Sequence, residues 1–258
     1  MKHVLRLLLF ALALSVLAGQ VPTDPSVRVV ELDNGLTCWL KPHQTPPGRV
    51  TMWLHVGSGS LNETDDQRGL AHFLEHMAFN GTEHFPPGEL IKYFESIGMS
   101  FGRHQNAFTS FDQTTYFLAL PDTKPATMEK GLLCLSDYAF RMSLRPAEIE
   151  KEIGVVLEEI RARAGLQQRL RDQQVPVYAP GSRLAERMPI GKEEVIRNAT
   201  RKLVAQYYNT WYRPGLTTLI VVGDVEPEDV VPLIEKQFGA WEQHRDPPSK
   251  HAAAIETY

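Results

Sequence analysis

The sequence predicts an α+β fold, a two-layer α/β sandwich with helices on one face of a mostly antiparallel sheet. Three observations lead there. Short apolar-polar alternations gather before Leu120, longer runs with three- and four-residue spacing follow from Ala126, and one late strand-like run returns at Leu219. Strands, then helices, then a strand fit helices layered over one sheet face. A chain of 258 residues has room for one large domain or two small ones.

Val27 to Leu32 and Leu36 to Lys41 flank Asp33-Asn34-Gly35, whose Asn-Gly is a hairpin signal. From Arg49 to Val56, Val50, Met52, Leu54 and Val56 alternate with Thr51, Trp53 and His55, so His55 reads as a face residue of a third strand. Gly57-Ser58-Gly59 breaks that strand and is too short, in the wrong context, to cradle phosphate. A helix follows between Gly69 and Gly81, with apolar surface from Leu70, Phe73, Leu74, Met77 and Phe79. Pro87 and Gly88 open a second helix reaching Ile97, and strand-like runs follow at Phe108 to Phe111 and Thr115 to Leu120. Helices are expected over Ala126 to Arg141 and Ala147 to Gln173, then an irregular excursion from Asp172 to Pro189 around Pro176, Pro180 and Gly181. Glu193 to Trp211 reads mainly as helix, Leu219 to Val222 as strand, and Pro227 to Phe238 as a final helix.

The chemistry concentrates in His72-Phe73-Leu74-Glu75-His76. On a helix, His72 and His76 stand one turn apart on the same face. Both can aim a ring nitrogen at one metal ion, about 2.0–2.1 Å away. Glu75 leans toward the same side, within reach of a metal-activated water. The order H-x-x-E-H is the inverse of the commoner H-E-x-x-H zinc motif. Two histidines four apart can also be ordinary surface or core-edge residues, so a third ligand decides the matter.

Candidates for it are Glu148, Glu150, Glu152, Glu158 and Glu159. Pro146 suits a first helical turn, and the early glutamates suit the positive end of the helix dipole. Ile149, Ile153, Val156 and Ile160 form an apolar stripe, with Glu152 and Glu159 nearly two turns apart along its flank. Glu158 is rotated about 100° from Glu159. Either Glu152 or Glu159 could reach the metal, the other orienting a histidine. Glu148 and Glu150 read as a solvated face.

With these residues in place, the chain resembles the pitrilysin/insulinase (M16, inverzincin) family of zinc metallopeptidases, specifically its N-terminal catalytic domain. The resemblance rests on Gly57 to Glu63 and on Arg68 through Thr82, which includes the metal motif. Asn106 through Tyr116, Tyr212-Arg213-Pro214 and Leu219 through Val225 follow in the family's order. It covers roughly residues 27–242. The resemblance implies Zn2+ as the cofactor, held by His72, His76 and Glu159, with Glu75 as general base and Glu152 supporting the site. It implies peptide-bond hydrolysis of an extended substrate lying along Asn106, Ala107, Phe108 and Thr109. It also implies a second homologous half, in tandem or in a partner subunit, closing like a clamshell. The other readings are a zinc-binding but inactive or partner-dependent subunit, or a fragment of a longer peptidase. His104 and His55 are given no catalytic part.

Residues 1–18 read as a signal peptide. Lys2 and Arg6 precede an apolar run from Leu7 to Val16, and Ala18 suits cleavage before Gly19. The run is too short for an ordinary membrane span, and no Cys near the cut suggests a lipid anchor. Export, into the periplasm, is the expectation. Losing Lys2 and Arg6 takes the formal charge from −4 to −6, which argues against nucleic-acid or anionic-membrane partners. Cys38 and Cys134 read as two separately buried thiols, although export would permit a disulfide. Residues 243–258, with Pro247 and Pro248, have the composition of the start of an interdomain linker.

Overall fold

The computed structural model describes residues 24–242. The signal-peptide and linker expectations therefore lie outside the described residues. Strands are β1 (Arg28–Glu31), β2 (Thr37–Pro42), β3 (Val50–Val56), β4 (Gln105–Thr109), β5 (Thr114–Leu120) and β6 (Thr217–Gly223). Helices are α1 (Leu70–Met77), α2 (Glu89–Ser96), α3 (Pro125–Phe140), α4 (Pro146–Arg163), α5 (Leu166–Tyr178), α6 (Glu193–Arg197), α7 (Arg201–Trp211) and α8 (Pro227–Phe238).

The six strands form one sheet in the order β1-β2-β6-β3-β5-β4. Every pairing is antiparallel except β2 with β6, so the expected mostly antiparallel α+β sandwich is what forms. Period-two alternation divides the faces. Val50, Met52, Leu54 and Val56 of β3 and Leu219 and Val221 of β6 are buried beneath the helices. The outer face carries a cross-strand row, Val29, Trp39, Ile220, Trp53 and Phe117, in register across five strands. Trp53 stacks on Phe117 with centroids 5.6 Å apart and meets Phe108 edge-on at 6.3 Å. β4 is left as the edge strand beside the helical layer.

Three elements differ from expectation. The strand placed at Phe108 to Phe111 runs instead over Gln105–Thr109, because Ser110 to Gln113 make a tight turn closed by the Ser110 N–H on the Gln113 carbonyl at 2.8 Å. The helix expected over Ala147 to Gln173 is two helices, broken at Ala164-Gly165, where glycine's freedom makes continuation unfavourable. The second continues through Pro176 to Tyr178; its surface is exposed, so water can take the Asp172 carbonyl that proline leaves without a donor. The region from Glu193 to Trp211 also divides, at Thr200, whose side chain caps α7 by accepting from the Leu203 N–H at 3.3 Å. Cys38 and Cys134 are both buried and unpaired with each other.

Candidate active site

Helix α1 is short, and its placement starts with a carboxylate outside it. Glu63 is fully buried; one oxygen accepts the Gly69 N–H at 2.9 Å and the other the Ala71 N–H at 2.8 Å. These are donors that a helix N-terminus leaves without an internal partner, and a negative charge there suits the dipole. Burial pushes the Glu63 carboxyl up to about 8, against the pull of those N–H groups and of Arg187 and Arg68. The Glu63 carbonyl in turn accepts from Arg183 at 2.7 Å and from the buried Arg187 at 3.1 Å. Gly69, at φ +101°, lies against Gly191, where an added Cβ would come 2.3 Å from the Gly69 Cα. No larger residue fits that crossing.

So fixed, α1 buries Leu70, Ala71, Phe73, Leu74 and Met77 and turns His72, Glu75 and His76 toward α4 and β4. His72 Nε2 and His76 Nε2 are 3.2 Å apart. Glu159 Oε2, from α4, lies 3.5 Å from the first and 3.4 Å from the second. Metal–nitrogen and metal–oxygen bonds of about 2.0–2.1 Å in a tetrahedron separate ligand atoms by about 3.3–3.4 Å, so the triangle has the size of one face of a zinc site. The chemistry of the donor set agrees. His76 Nδ1 is 2.7 Å from Glu152 Oε1, the bond that makes Nδ1 the protonated nitrogen and leaves Nε2 a lone pair. Burial, the neighbouring His76 and Arg163 push His72 down to about 3, keeping it neutral and ligand-competent. These three donor atoms could together hold Zn2+. The remaining carboxylate oxygen, Glu159 Oε1, pairs with Arg163.

The two flanking glutamates differ in the same way as their surroundings. Glu152 uses both oxygens, one on His76 and the other accepting from Asn80 Nδ2 at 2.6 Å. Burial works against protonation of His76, but the Glu152 hydrogen bond and the carboxylates of Glu152, Glu75 and Glu159 outweigh it and raise its pKa. Glu75 is buried and accepts from Thr109 Oγ1 at 2.6 Å. Burial raises its pKa, against the Thr109 bond and the charge of His76.

Among the candidate substrate residues, Asn106 and Ala107 line the same cavity of about 450 Å³ as the metal triad, with Phe79 and Phe101 on its apolar side. Thr109 reaches Glu75 directly. The Phe108 side chain turns to the outer sheet face against Trp53, away from the cleft. The His104 carbonyl accepts from Ala119 N at 2.7 Å, so by antiparallel parity Asn106 and Phe108 aim their main-chain groups at β5, while Ala107 and Thr109 aim theirs at the open edge. Glu148 and Glu158 pair instead with Lys151 and Arg161 on the exposed face of α4. The roles of Glu63, Arg187, Asn80 and the Thr109 hydroxyl have no local signature; a carboxylate capping a helix six residues downstream follows no standard capping spacing.

A profile described as Insulinase (Peptidase family M16) matches residues 40–179, and one described as Peptidase M16 inactive domain matches residues 198–257. The chain belongs to the M16 peptidase family. Several relatives are named zinc proteases. The probable zinc protease PqqL of Escherichia coli K12 is 36% identical over 219 residues, 85% of this chain and 24% of that one. Its namesake in Haemophilus influenzae is 35% identical over 239 residues, 89% of this chain and 26% of that one. The crystal structure of the periplasmic protease PqqL from E. coli superposes with a TM-score of 0.84 at 34% identity, over 89% of this chain and 25% of that one. This chain therefore spans about a quarter of the length of these relatives. Among the described residues, no helix is long and apolar enough to cross a membrane.

Proposed function

We propose that this chain forms the zinc-holding wall of a metalloendopeptidase. The observation that carries the reading is the convergence of His72 Nε2, His76 Nε2 and Glu159 Oε2, with Glu75 beside them at the head of an open strand edge. A bound zinc ion supplies Lewis acidity toward water and toward a peptide carbonyl.

The protein's own groups do the rest. An extended peptide pairs with the main-chain groups of Thr109 and the Ala107 carbonyl, adding a strand to β4; the Ala107 N–H, which donates to Asn106 Oδ1 at 3.0 Å, joins once that side chain turns away. That holds a scissile carbonyl alongside Glu75, which takes the proton from the attacking water and delivers it to the departing nitrogen. Its burial favours this: a raised carboxyl pKa makes Glu75 a stronger base than a solvated glutamate. Thr109 pins one oxygen of Glu75, leaving the other for the proton. Glu152 fixes the His76 ring and its tautomer, and Asn80 fixes Glu152.

One wall does not enclose a peptide. Positioning supplies on the order of 7–11 kcal/mol in well-oriented reactions, so full activity is assigned to a clamshell in which a second M16-type half supplies the facing surface. The compartment proposed is the periplasm, reached by export. Metal analysis of the purified protein tests the site: about one zinc per chain is expected, with loss in His72→Ala and Glu159→Ala. Undiminished zinc in both variants overturns the ligand assignment.

A further inference from the structure

At the Thr109 end of β4, a second cavity of about 470 Å³ opens against α4 and α5, while Asn106 and Ala107 line the first. Thr109, Arg163, Gln167, Arg171, Pro189 and Ile190 line it, and no carboxylate does. It joins the catalytic cleft through Arg163, which lines both. Its two cations are not equivalent. Arg163 is engaged by Glu159, whereas Arg171 has no ion-pair partner among the described residues. The adjacent Asp172 forms no ion pair with Arg171; its carboxylate accepts from Gln168 Nε2 at 2.7 Å. A polar cavity with an unpaired guanidinium, fed by the cleft that holds the peptide, has the chemistry to read a negative charge.

We propose that this cavity is a specificity pocket for an acidic side chain of the peptide substrate, with Arg171 as the residue that selects it. The proposal rests on the peptidase reading of the cleft. Strand polarity sets the position of the acid. β4 runs from Gln105 to Thr109, and antiparallel pairing is the more stable mode. A peptide added antiparallel enters from the Thr109 end, so its residues N-terminal to the scissile bond lie at the arginine cavity. Those C-terminal to it lie along Ala107, Phe79 and Phe101. Pro189, Ile190 and Met188 give the methylene stem of a glutamate an apolar wall.

The test uses zinc-loaded protein and three unstructured fluorescent peptides that differ at one position N-terminal to the cleaved bond, carrying Glu, Gln or Lys. Equilibrium binding and turnover are both measured. The wild-type protein should favour Glu over Gln by about fivefold, the equivalent of ~1 kcal/mol for a partly exposed ion pair. That ratio should shrink as salt is raised. Arg171→Glu should invert it in favour of Lys, with each variant judged by its own Glu-to-Gln ratio. Equal binding of the Glu and Gln peptides by the wild-type protein, or a ratio untouched by Arg171→Glu, overturns the proposal. If the ratio holds in binding while no peptide is cleaved even with a second M16-type half added, the pocket stands and the peptidase reading falls.

Discussion

The two helices that meet at the site are built on opposite plans. In α1, seven of eight residues are buried, only His76 is half-exposed, and the entry is locked by Glu63 and by the Gly69–Gly191 crossing. In α4, an eighteen-residue helix, only Ile149, Glu152, Val156 and Leu157 are buried, and α5 beyond it buries nothing. His72, His76 and the proposed base Glu75 thus ride on a part that cannot shift without breaking the core. Glu159, the proposed third ligand, rides on one that is packed along a single stripe and trimmed by a surface arginine. A site made this way has two coordinates fixed and a third adjustable.

Four mutational tests and one pH titration can break or sharpen that contrast. The largest effect belongs to Glu75→Gln, which keeps the size of the side chain and removes the base. Turnover in the active assembly should fall about 10²–10⁴-fold with zinc retained, and near-normal kinetics would exclude Glu75 as the base. Next is Glu152→Gln, on the adjustable helix. Zinc affinity should weaken about 10–100-fold by competition with a chelator, because the His76 ring loses its charged partner. In the unaltered protein, zinc affinity should weaken progressively as pH falls below the His76 titration of the metal-free site. That titration lies above the ordinary histidine value, and protons and metal compete for the same ring.

Glu63→Gln comes third and acts on stability. An amide can accept only at its oxygen, so one of the two N–H groups of Gly69 and Ala71 is left unsatisfied in a buried place, at a cost of roughly 1–3 kcal/mol in denaturant unfolding. A change below the error of the measurement would mean that α1 is held by packing alone. The smallest effect is expected on α5. Leu166→Gln and Val177→Gln, at side chains 62% and 74% exposed, should each move stability by less than about 0.5 kcal/mol. A larger loss in the isolated chain would show that α5 is part of the core after all.

The same contrast governs what could be read in the sequence. α1 was legible because a buried amphipathic helix has a strong period and its chemistry is local: His72, Glu75 and His76 fall within five residues. The boundaries of α8 were legible because Pro227 marks its first turn and the apolar spacing runs out at Phe238. Pattern left Glu152 and Glu159 interchangeable, since both lie on one flank of α4, and only the fold brings Glu159 Oε2 to the two Nε2 atoms and Glu152 to Nδ1. The break at Gly165 was hidden because the flanking residues are good helix formers and a single glycine does not always end a helix. Glu63 and Thr109 were illegible as site-builders, since their partners lie on other elements and neither spacing nor residue type announces the contact.

The place of β6 has a consequence for how the molecule is assembled. It is the last strand among the described residues, yet it lies in the middle of the sheet, between β2 and β3. Until residues 217–223 arrive, the β1-β2 hairpin and the β3-β5-β4 ribbon have no common seam. A ribosome must therefore deliver the whole segment that carries the candidate site, α1 through α7, before the two parts of the sheet can be joined. Such long-range closure slows folding, because the loop entropy is lost before the pairing compensates for it. Until then two strand edges stay open to pairing with other chains. A nascent chain stalled before Thr217 would present β2 and β3 as bare edges, a species that calls for a chaperone rather than a metal.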